Sequence, residues 1–287
     1  MPDGRKVRGT QVKGKEKLLV LLYADDLVLM CENGETLNEI MMRIEKCTQE
    51  WVGRLTINVK KTKRMTNITN VTQDDVNIEI RGEIVEPVNE FIYLGSLIKD
   101  TGSIEKEIER RLRLGQYRFN ELKKPIFDQA DINISTKTNI YKAIVLPTIL
   151  YGAETWTCND KDYARLNAVN NKMLRYLVGR RRDDISNEQL YKMTNTDPID
   201  ITIKRYRLRW TGHIRRMPDC RIPKKVMFGR LVGGKRQKGR PTKSWNDCLE
   251  NDLELVGLNA INWLKAAEQR SSWSNLISSL TFRKRKK

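Results

Sequence analysis

The chain has 287 residues, of which 39% are hydrophobic and 31% are charged, and this composition excludes a disordered polymer while predicting small cores under highly charged surfaces. Lys and Arg number 54 against 36 Asp and Glu, which gives a net charge of +18. Such an excess indicates a polyanionic partner. Nucleic acid fits better than a membrane because no basic helix with a clean apolar face stands out, and a solvated basic surface without a specific partner is the alternative.

The sequence also restricts the compartment. No apolar run approaches the roughly 20 residues that span a bilayer, and the first residues lack a hydrophobic signal core. We therefore expect an intracellular protein, in the nucleus or the cytoplasm. The five cysteines are scattered without Cys-x-x-Cys spacing and there is one histidine, so we expect free thiols and no zinc site.

Two adjacent aspartates interrupt an apolar stretch near the start of the chain. The basic, glycine-rich segment Met1–Lys17 has nothing to pack and is expected to be a connection from something upstream. Leu18–Met30 then predicts a β-hairpin with its turn at Tyr23–Asp26. Carboxylates beside buried strands are costly unless a cation neutralises them, so Asp25 and Asp26 predict a divalent metal site. An ordinary turn or a helix start is the alternative interpretation of the dipeptide.

Within these strands, the tetrapeptide Tyr23–Asp26 resembles the metal-binding hairpin in the palm of reverse transcriptases, in the "YADD" form typical of retrotransposon enzymes. The resemblance implies that Asp25 and Asp26 are catalytic metal ligands for Mg²⁺ or Mn²⁺. It also implies two-metal nucleotidyl transfer with an RNA template and a DNA primer or target as partners.

The next segments predict a helix and a strand. We expect Thr36 to cap a helix that runs to about Val52 with an apolar stripe in the core, and Gly53 to end it. The segment Leu55–Lys63 alternates like a strand.

A second match to reverse transcriptases lies in this region. The family has a segment resembling Gly-x-Leu-x-Ile-Asn-x-x-Lys-Thr after its acidic hairpin, and the residues that match in order are Gly53, Leu55, Ile57, Asn58, Lys61 and Thr62. The resemblance implies that Lys61 lies near the incoming triphosphate, where a positive charge stabilises charge developing on phosphoryl oxygens. Lys60 and Lys63 are alternatives for this role.

Two more hairpins complete the first 100 residues. Asn77–Ile80 and Glu83–Val85 flank an Arg-Gly turn. Phe91–Ile98 resembles the primer-gripping hairpin of reverse transcriptases, with Tyr93, Leu94 and Gly95 at its turn, although a plain apolar strand with a glycine turn is the alternative. Residues 1–100 are thus interpreted as a partial reverse transcriptase palm.

The pattern becomes helical from Ser103 onward. We expect Ser103 to cap a helix that Pro125 stops, and a second helix, Thr136–Val145, before Pro147. Leu150–Trp156 resembles a "LYG-ETW" segment found downstream of the palm in non-LTR (LINE-like) retrotransposon proteins. Residues 101–157 are therefore interpreted as thumb-like helices.

Residues 158–287 predict a basic helical C-terminal region with a flexible linker near 229–243. The expected helices are Lys161–Leu177, Asn187–Met193, Ile199–Met217 and Ser244–Leu280, the last with a break at Gly257. The basic end of the chain, Arg283–Lys287, suits either a nuclear localisation signal or nonspecific anion binding.

Basic residues in this region are candidates for phosphate and base contacts, because they alternate with aromatic residues or lie in the linker. The candidates are Arg209, Arg215, Arg216, Lys235, Arg236, Lys238, Arg240 and Lys243. A solvated basic face with Trp210 in the core is the alternative for the helix, and the Gly-Arg-Pro of the linker also resembles an AT-hook. For His213 we expect a structural hydrogen bond.

The fold class predicted is α+β, with a partial polymerase palm of antiparallel sheet and helix, then an all-α thumb and the basic helical region. The resemblance implies a fragment of an RNA-directed DNA polymerase. We expect it to be inactive alone, because the family's first catalytic aspartate and its fingers have no counterpart in these residues. A non-catalytic nucleic-acid-binding protein and a decayed gene fragment are the alternatives, and the oligomeric state is left open.

Overall fold

A computed structural model describes most of the chain, and the ranges covered are 10–12, 16–18, 20–31, 33–50, 56–67, 77–229, 243–259 and 261–280. The chain divides into two compact units. Unit 1 comprises 1–93, 98–103 and 218–238. Unit 2 comprises 94–97, 104–217 and 239–287.

Short strands and the helix Gly34–Glu50 occupy the described part of unit 1 up to residue 93, and helices dominate unit 2, so the mixed α+β composition is confirmed. The strands are β1 Thr10–Val12, β2 Glu16–Leu18, β3 Val20–Tyr23, β4 Asp26–Leu29, β5 Lys63–Arg64, β6 Glu79–Ile80, β7 Glu83–Ile84, β8 Glu86–Pro87, β9 Glu90–Tyr93 and β10 Ser96–Lys99. The α-helices are α1 Gly34–Glu50, α2 Glu105–Leu122, α3 Ile134–Ile140, α4 Leu146–Ile149, α5 Asp160–Val178, α6 Asn187–Thr194, α7 Ile199–Arg216, α8 Ile222–Phe228, α9 Trp245–Leu255, α10 Trp263–Ala266 and α11 Arg270–Ser278.

The strands pair two by two. In the ranges that the structure covers they form five separate two-stranded sheets, and the pair β5–β8 is parallel. Antiparallel pairing is found in β1–β2, β3–β4 and β6–β7, and the palm expected from the sequence stays a prediction. Tight turns explain the pairing: Arg81 and Gly82, with φ of 54° and 77°, form a two-residue turn that joins β6 to β7, its nearest neighbour in the chain.

No strand was predicted within Met1–Lys17, where β1 pairs antiparallel with β2 and Thr10 lies opposite Leu18. The apolar hairpin that follows is confirmed. In it, β3 and β4 pair antiparallel with Val20 opposite Leu29 and Tyr23 opposite Asp26.

The core of unit 1 is small and lies between α1 and the strand pairs. Met41, Ile78, Ile80 and Val85 are buried, and half-buried apolar residues, Leu29 and Leu37 among them, pack around these four. Because α1 contributes only Met41 as a fully buried residue, most of its predicted apolar stripe is half-buried or exposed.

Two local predictions in unit 1 need correction. Asn33, not Thr36, caps α1, since the Thr36 amide donates to Asn33 Oδ1 at 2.9 Å. Over its described part, the predicted strand Leu55–Lys63 is irregular with a turn at Val59–Lys61, and only Lys63 lies in a strand. The Lys61 amide donates to Asn58 Oδ1 at 3.1 Å, and this side-chain bond to the backbone competes with extension. Gly53 and Val52, predicted to end α1, lie outside the described residues.

Unit 2 has the larger core, formed where α2, α4, α5 and α6 meet. Its fully buried members include Ile108, Tyr141, Ile149, Leu174 and Leu190. At Gly115 a Cβ atom would lie 2.2 Å from Ile149 Cγ1, so a glycine is required where α2 and α4 approach most closely.

Helix α2 ends at Leu122, before Pro125, as predicted, but the chain stays helical through both prolines. Pro125 lies in a π-helical turn, Lys123–Phe127, that continues α2, and Pro147 lies in the first turn of α4 after a similar turn, Tyr141–Val145. A proline lacks an amide donor, and the wider π turn and the first helical turn are both places where that donor is not needed.

The C-terminal helices pack on α7. At Gly212 a Cβ atom would lie 2.2 Å from Trp273 Nε1, and Trp273 donates to the Leu208 carbonyl at 3.0 Å. The predicted helix Ser244–Leu280 is three helices, α9, α10 and α11, because it breaks after Ala266 as well as at the predicted Gly257, where φ is +77°. Helix α8 was not predicted.

All five cysteines are free thiols, as predicted. Cys158 and Cys248 are buried, whereas Cys47 and Cys220 are exposed. Burial raises the pKa of the Cys158 thiol to about 12, so the reactive thiolate is almost absent at neutral pH. Within the described ranges, no helix has the length and apolarity needed to cross a bilayer.

We predict that brief alkylation of the native protein with iodoacetamide modifies Cys47 and Cys220 but leaves Cys158 unmodified, since its thiol is both inaccessible and protonated. Peptide mass spectrometry with and without denaturant measures the modified fraction at each site. Modification of Cys158 at the rate of Cys47 in the native protein would contradict the packing described.

Candidate nucleic-acid interface

The two aspartates lie at the exposed end of the β3–β4 hairpin. Ala24 and Asp25 form its turn, with Ala24 at φ +52°, and Asp26 closes the strand pairing opposite Tyr23. Leu22 and Tyr23 are 74% and 63% exposed, so the flanking strand does not bury the carboxylates as expected from the sequence. Neither aspartate side chain forms an ion pair or hydrogen bond with another residue that the structure covers.

These carboxylates have the right chemistry for a hard divalent cation, which prefers oxygen ligands. In the part of the chain that is described, however, no group of three His, Cys, Asp or Glu residues is arranged to hold a metal ion. Asp25 and Asp26 therefore place two adjacent carboxylates at this turn, fewer than the three groups of such a cluster.

Lys61 follows the Asn58 turn, with its side chain exposed. Its ammonium has no hydrogen bond or ion pair to a residue in the described ranges. The structure gives no contact between Lys61 and the aspartates. The alternative lysine, Lys63, is occupied by an ion pair with Glu86.

The turn at Leu94 and Gly95, which with Tyr93 was predicted to resemble a primer grip, is held by side chains of unit 2. Both residues are left-handed, with φ of 45° and 79°, which is unfavourable for leucine. Each carbonyl of the turn accepts hydrogen bonds: Tyr151 Oη donates to Leu94 O at 2.8 Å, and Arg110 Nη1 donates to Gly95 O at 3.1 Å.

A buried ion pair on α2 supports this turn. Glu107 and Arg111 are 3% and 6% exposed, and Arg111 Nε donates to Glu107 Oε1 at 2.6 Å. Glu107 also accepts from the Leu97 amide at 3.0 Å, while Arg111 donates to Gly95 O and lies 4.5 Å from the Tyr151 ring centroid. The turn therefore keeps its strained backbone because several charged and aromatic groups hold it.

Sequence reasoning missed Glu107 and Arg111, and it gave Tyr151 no role beyond a family segment. Their local signal is only an i, i+4 acid–base pair on a helix, a pattern that usually marks a solvated surface. Glu107 and Arg111 matter because they support the turn at Leu94 and Gly95. That turn lies ten or more residues away in the chain, so no local sequence pattern predicts the contact.

The predicted basic residues fall into three groups. Arg209 is exposed on α7. Arg215, Arg216 and Lys243 donate to main-chain carbonyls, of Leu264 at 3.2 Å, Ala267 at 2.7 Å and Cys158 at 3.1 Å respectively. The linker residues Lys235, Arg236, Lys238 and Arg240 lie outside the described residues.

His213 does not form the structural hydrogen bond expected from the sequence. Its imidazole is exposed, has no hydrogen bond to a described residue, and lies beside Trp210 with ring centroids 5.6 Å apart. Position 213 faces outward because the opposite side of α7, including Leu208, Thr211 and Gly212, is the buried side.

The chain matches no protein-family model. It is 30% identical over 278 residues to a transposon-derived protein of Caenorhabditis elegans, covering 93% of this chain and 97% of that protein. It is 23% identical over 225 residues to the RNA-directed DNA polymerase from mobile element jockey of Drosophila funebris, and 21% identical over 172 residues to the jockey polymerase of Drosophila melanogaster. These matches cover 74% and 58% of this chain but only 24% and 18% of the two polymerases.

The chain is thus a retrotransposon-type protein, and its homologues include RNA-directed DNA polymerases of non-LTR mobile elements. It belongs to the same family as the transposon-derived protein of Caenorhabditis elegans, whose length it spans almost completely. The resemblance stated from the sequence is confirmed.

We predict that Glu107→Ala lowers the free energy of unfolding by about 3 kcal/mol, because Arg111 is left buried without its carboxylate and the Leu97 amide loses its acceptor. Urea denaturation followed by circular dichroism measures the change. The matched control is Glu121→Ala, which removes an exposed ion pair with Arg118 on the same helix and should leave the midpoint unchanged. Equal effects of the two substitutions would show that the Glu107 pair does not support the turn.

Proposed function

We propose that this chain is a segment of a non-LTR retrotransposon reverse transcriptase, comprising the later part of the palm, the thumb and a basic helical region. The observation that carries the proposal is the exposed Asp25–Asp26 turn on two apolar strands in exact register, in a chain homologous to RNA-directed DNA polymerases. The turn held by Glu107 and Arg111 adds a second feature expected of a polymerase palm.

In the proposal, Asp25 and Asp26 hold Mg²⁺ or Mn²⁺. When bound, such ions would supply Lewis-acid stabilisation of the charge on the reacting oxygens. Lys61, exposed and without an ion pair to a described residue, is proposed to neutralise charge on the triphosphate of the incoming nucleotide.

The partners proposed are an RNA template and a DNA primer. A net charge of +18 supports binding to their phosphates, and Leu94 and Gly95 are proposed to contact the primer. The chain is proposed to bind nucleic acid by itself and to require ligands from elsewhere for synthesis, because two adjacent carboxylates do not complete a two-metal site.

A non-catalytic nucleic-acid-binding protein is the second candidate. The exposed aspartates favour it, because no third potential ligand is grouped with them among the described residues. In that case the hairpin has no role in chemistry, and nucleic-acid binding is the whole activity.

We predict that the purified chain binds a primer–template duplex and that binding is steeply salt-dependent. If about six phosphates are contacted, the Kd rises about 10³-fold between roughly 50 and 200 mM salt. Fluorescence anisotropy with a labelled duplex measures it. Absence of binding, or binding that salt does not weaken, would contradict both candidates.

We further predict that the same preparation does not extend the primer with Mg²⁺ or Mn²⁺. Extension should appear when a full-length relative is added whose own aspartate hairpin carries an inactivating substitution. Asp25→Asn should abolish that complementation, since an amide does not replace the anionic ligand. Asp131→Asn, an exposed loop residue of unit 2, is the matched control and should leave it intact. If the chain binds the primer–template but does not restore extension to the inactive relative, the result would favour the second candidate, a non-catalytic nucleic-acid-binding protein.

A further inference from the structure

Four side chains share one face of α7. Tyr206, Arg209, Trp210 and His213 are spaced at i, i+3, i+4 and i+7, which places them in one stripe along the helix. Arg209 and His213 are exposed, and the rings of Tyr206 and Trp210 are half-buried. We refer to these four residues as the α7 stripe.

The α7 stripe contains aromatic rings in contact with basic or heterocyclic side chains. Arg209 Cζ lies 6.0 Å from the Tyr206 ring centroid. The Trp210 and His213 rings have centroids 5.6 Å apart and planes inclined at 41°. A flat aromatic surface beside a guanidinium suits a ligand that combines an aromatic ring with an anion.

Charge distinguishes Arg209 from the other basic residues of α7. From Ile201 to Arg216 the helix contains no Asp or Glu. The side chain of Arg209 has no carboxylate or carbonyl partner in the described ranges. The other arginines and the lysine of α7 each have a partner: Lys204 with Asp200, Arg205 with Asp197, Arg207 with Asp252, Arg215 with Glu268, and Arg216 with the Ala267 carbonyl.

The back of the helix is fixed, so the stripe is presented on a rigid element. Arg207 Nη2 donates to the Trp156 carbonyl at 2.7 Å, and Trp273 Nε1 donates to the Leu208 carbonyl at 3.0 Å. Side chains on a fixed helix lose little freedom when a ligand binds them, and binding is correspondingly tighter.

We infer that the α7 stripe is a stacking site for single-stranded nucleic acid. Unpaired bases stack on Trp210 and His213, and Arg209 binds a phosphate of the same strand. A duplex does not fit this site, because its base faces are already stacked on one another. The inference rests on the proposed function and adds that this face of unit 2 binds single-stranded nucleic acid in preference to a duplex.

The test compares binding of the full chain to a labelled oligothymidylate of about 20 nucleotides and to a duplex of equal length, by fluorescence anisotropy. Trp210→Ala should raise the Kd for the single strand about 5- to 100-fold with an unchanged salt slope, and Trp210→Phe should restore most of the affinity. Arg209→Ala should weaken binding and reduce the salt slope by about 1. Duplex binding should change less than about twofold with Trp210→Ala, because no base stacks on the residue.

The matched control is Tyr117→Ala on α2. Tyr117 is 60% exposed with Arg118 Cζ 5.9 Å from its ring centroid, but Arg118 is paired with Glu121 at 2.8 Å. Tyr117 therefore presents an aromatic ring without a free cation beside it, and Tyr117→Ala should leave the Kd for the single strand unchanged. Circular dichroism melting of every variant establishes that the fold is intact.

Three outcomes would overturn the inference. They are wild-type affinity of Trp210→Ala for the single strand, equal losses for single strand and duplex, or a loss confined to binding of vesicles containing phosphatidylserine. A wild-type chain that binds neither oligonucleotide would instead refute the proposed function. The two failures are therefore distinguishable.

Discussion

Much of unit 2 depends on one buried cation, Arg207. Its guanidinium is fully buried in α7, where it donates to Asp252 of α9, to the Trp156 carbonyl and to the Tyr163 hydroxyl of α5. Burial alone would lower the pKa of this guanidinium, but the facing carboxylate of Asp252 raises it above its ordinary value, so the charge persists. Removing a charge from water costs several kcal/mol, and three partners together offset that cost.

This requirement fixes how the helices meet. Because both terminal nitrogens of Arg207 are paired only when Asp252, Trp156 and Tyr163 converge on them, the guanidinium ties α5, α7 and α9 together, although its buried Nε has no hydrogen-bond partner among the described residues. The outer face of α7 is then determined as well. The residues opposite Arg207, among them Arg209 and His213, are turned to solvent.

The hairpin turns at Ala24 and Leu94 both contain a strained backbone, and they differ in the side chains that hold them. Ala24 and Leu94 both have positive φ, which costs a non-glycine residue roughly 1 kcal/mol. At Leu94 the cost is offset by hydrogen bonds from Tyr151 and by the Glu107–Arg111 pair, so the turn is rigid. At Ala24 the described residues supply no such support, which leaves the aspartate turn defined by strand pairing alone. Two turns that look alike in the sequence therefore differ in how firmly they are held.

The sequence by itself determined the local features: the apolar hairpin around Asp25, the helices that begin near Asp160, Asn187 and Ile199, and the family resemblance. These depend on periodicity, capping and short motifs, which are read within a few residues. Only the tertiary structure decided that the strands pair two by two, that a π-helical turn containing Pro125 follows α2, and which arginines of α7 are occupied. Each of those outcomes depends on groups far apart in the chain, because burial and charge pairing are satisfied by whatever residue the fold brings near.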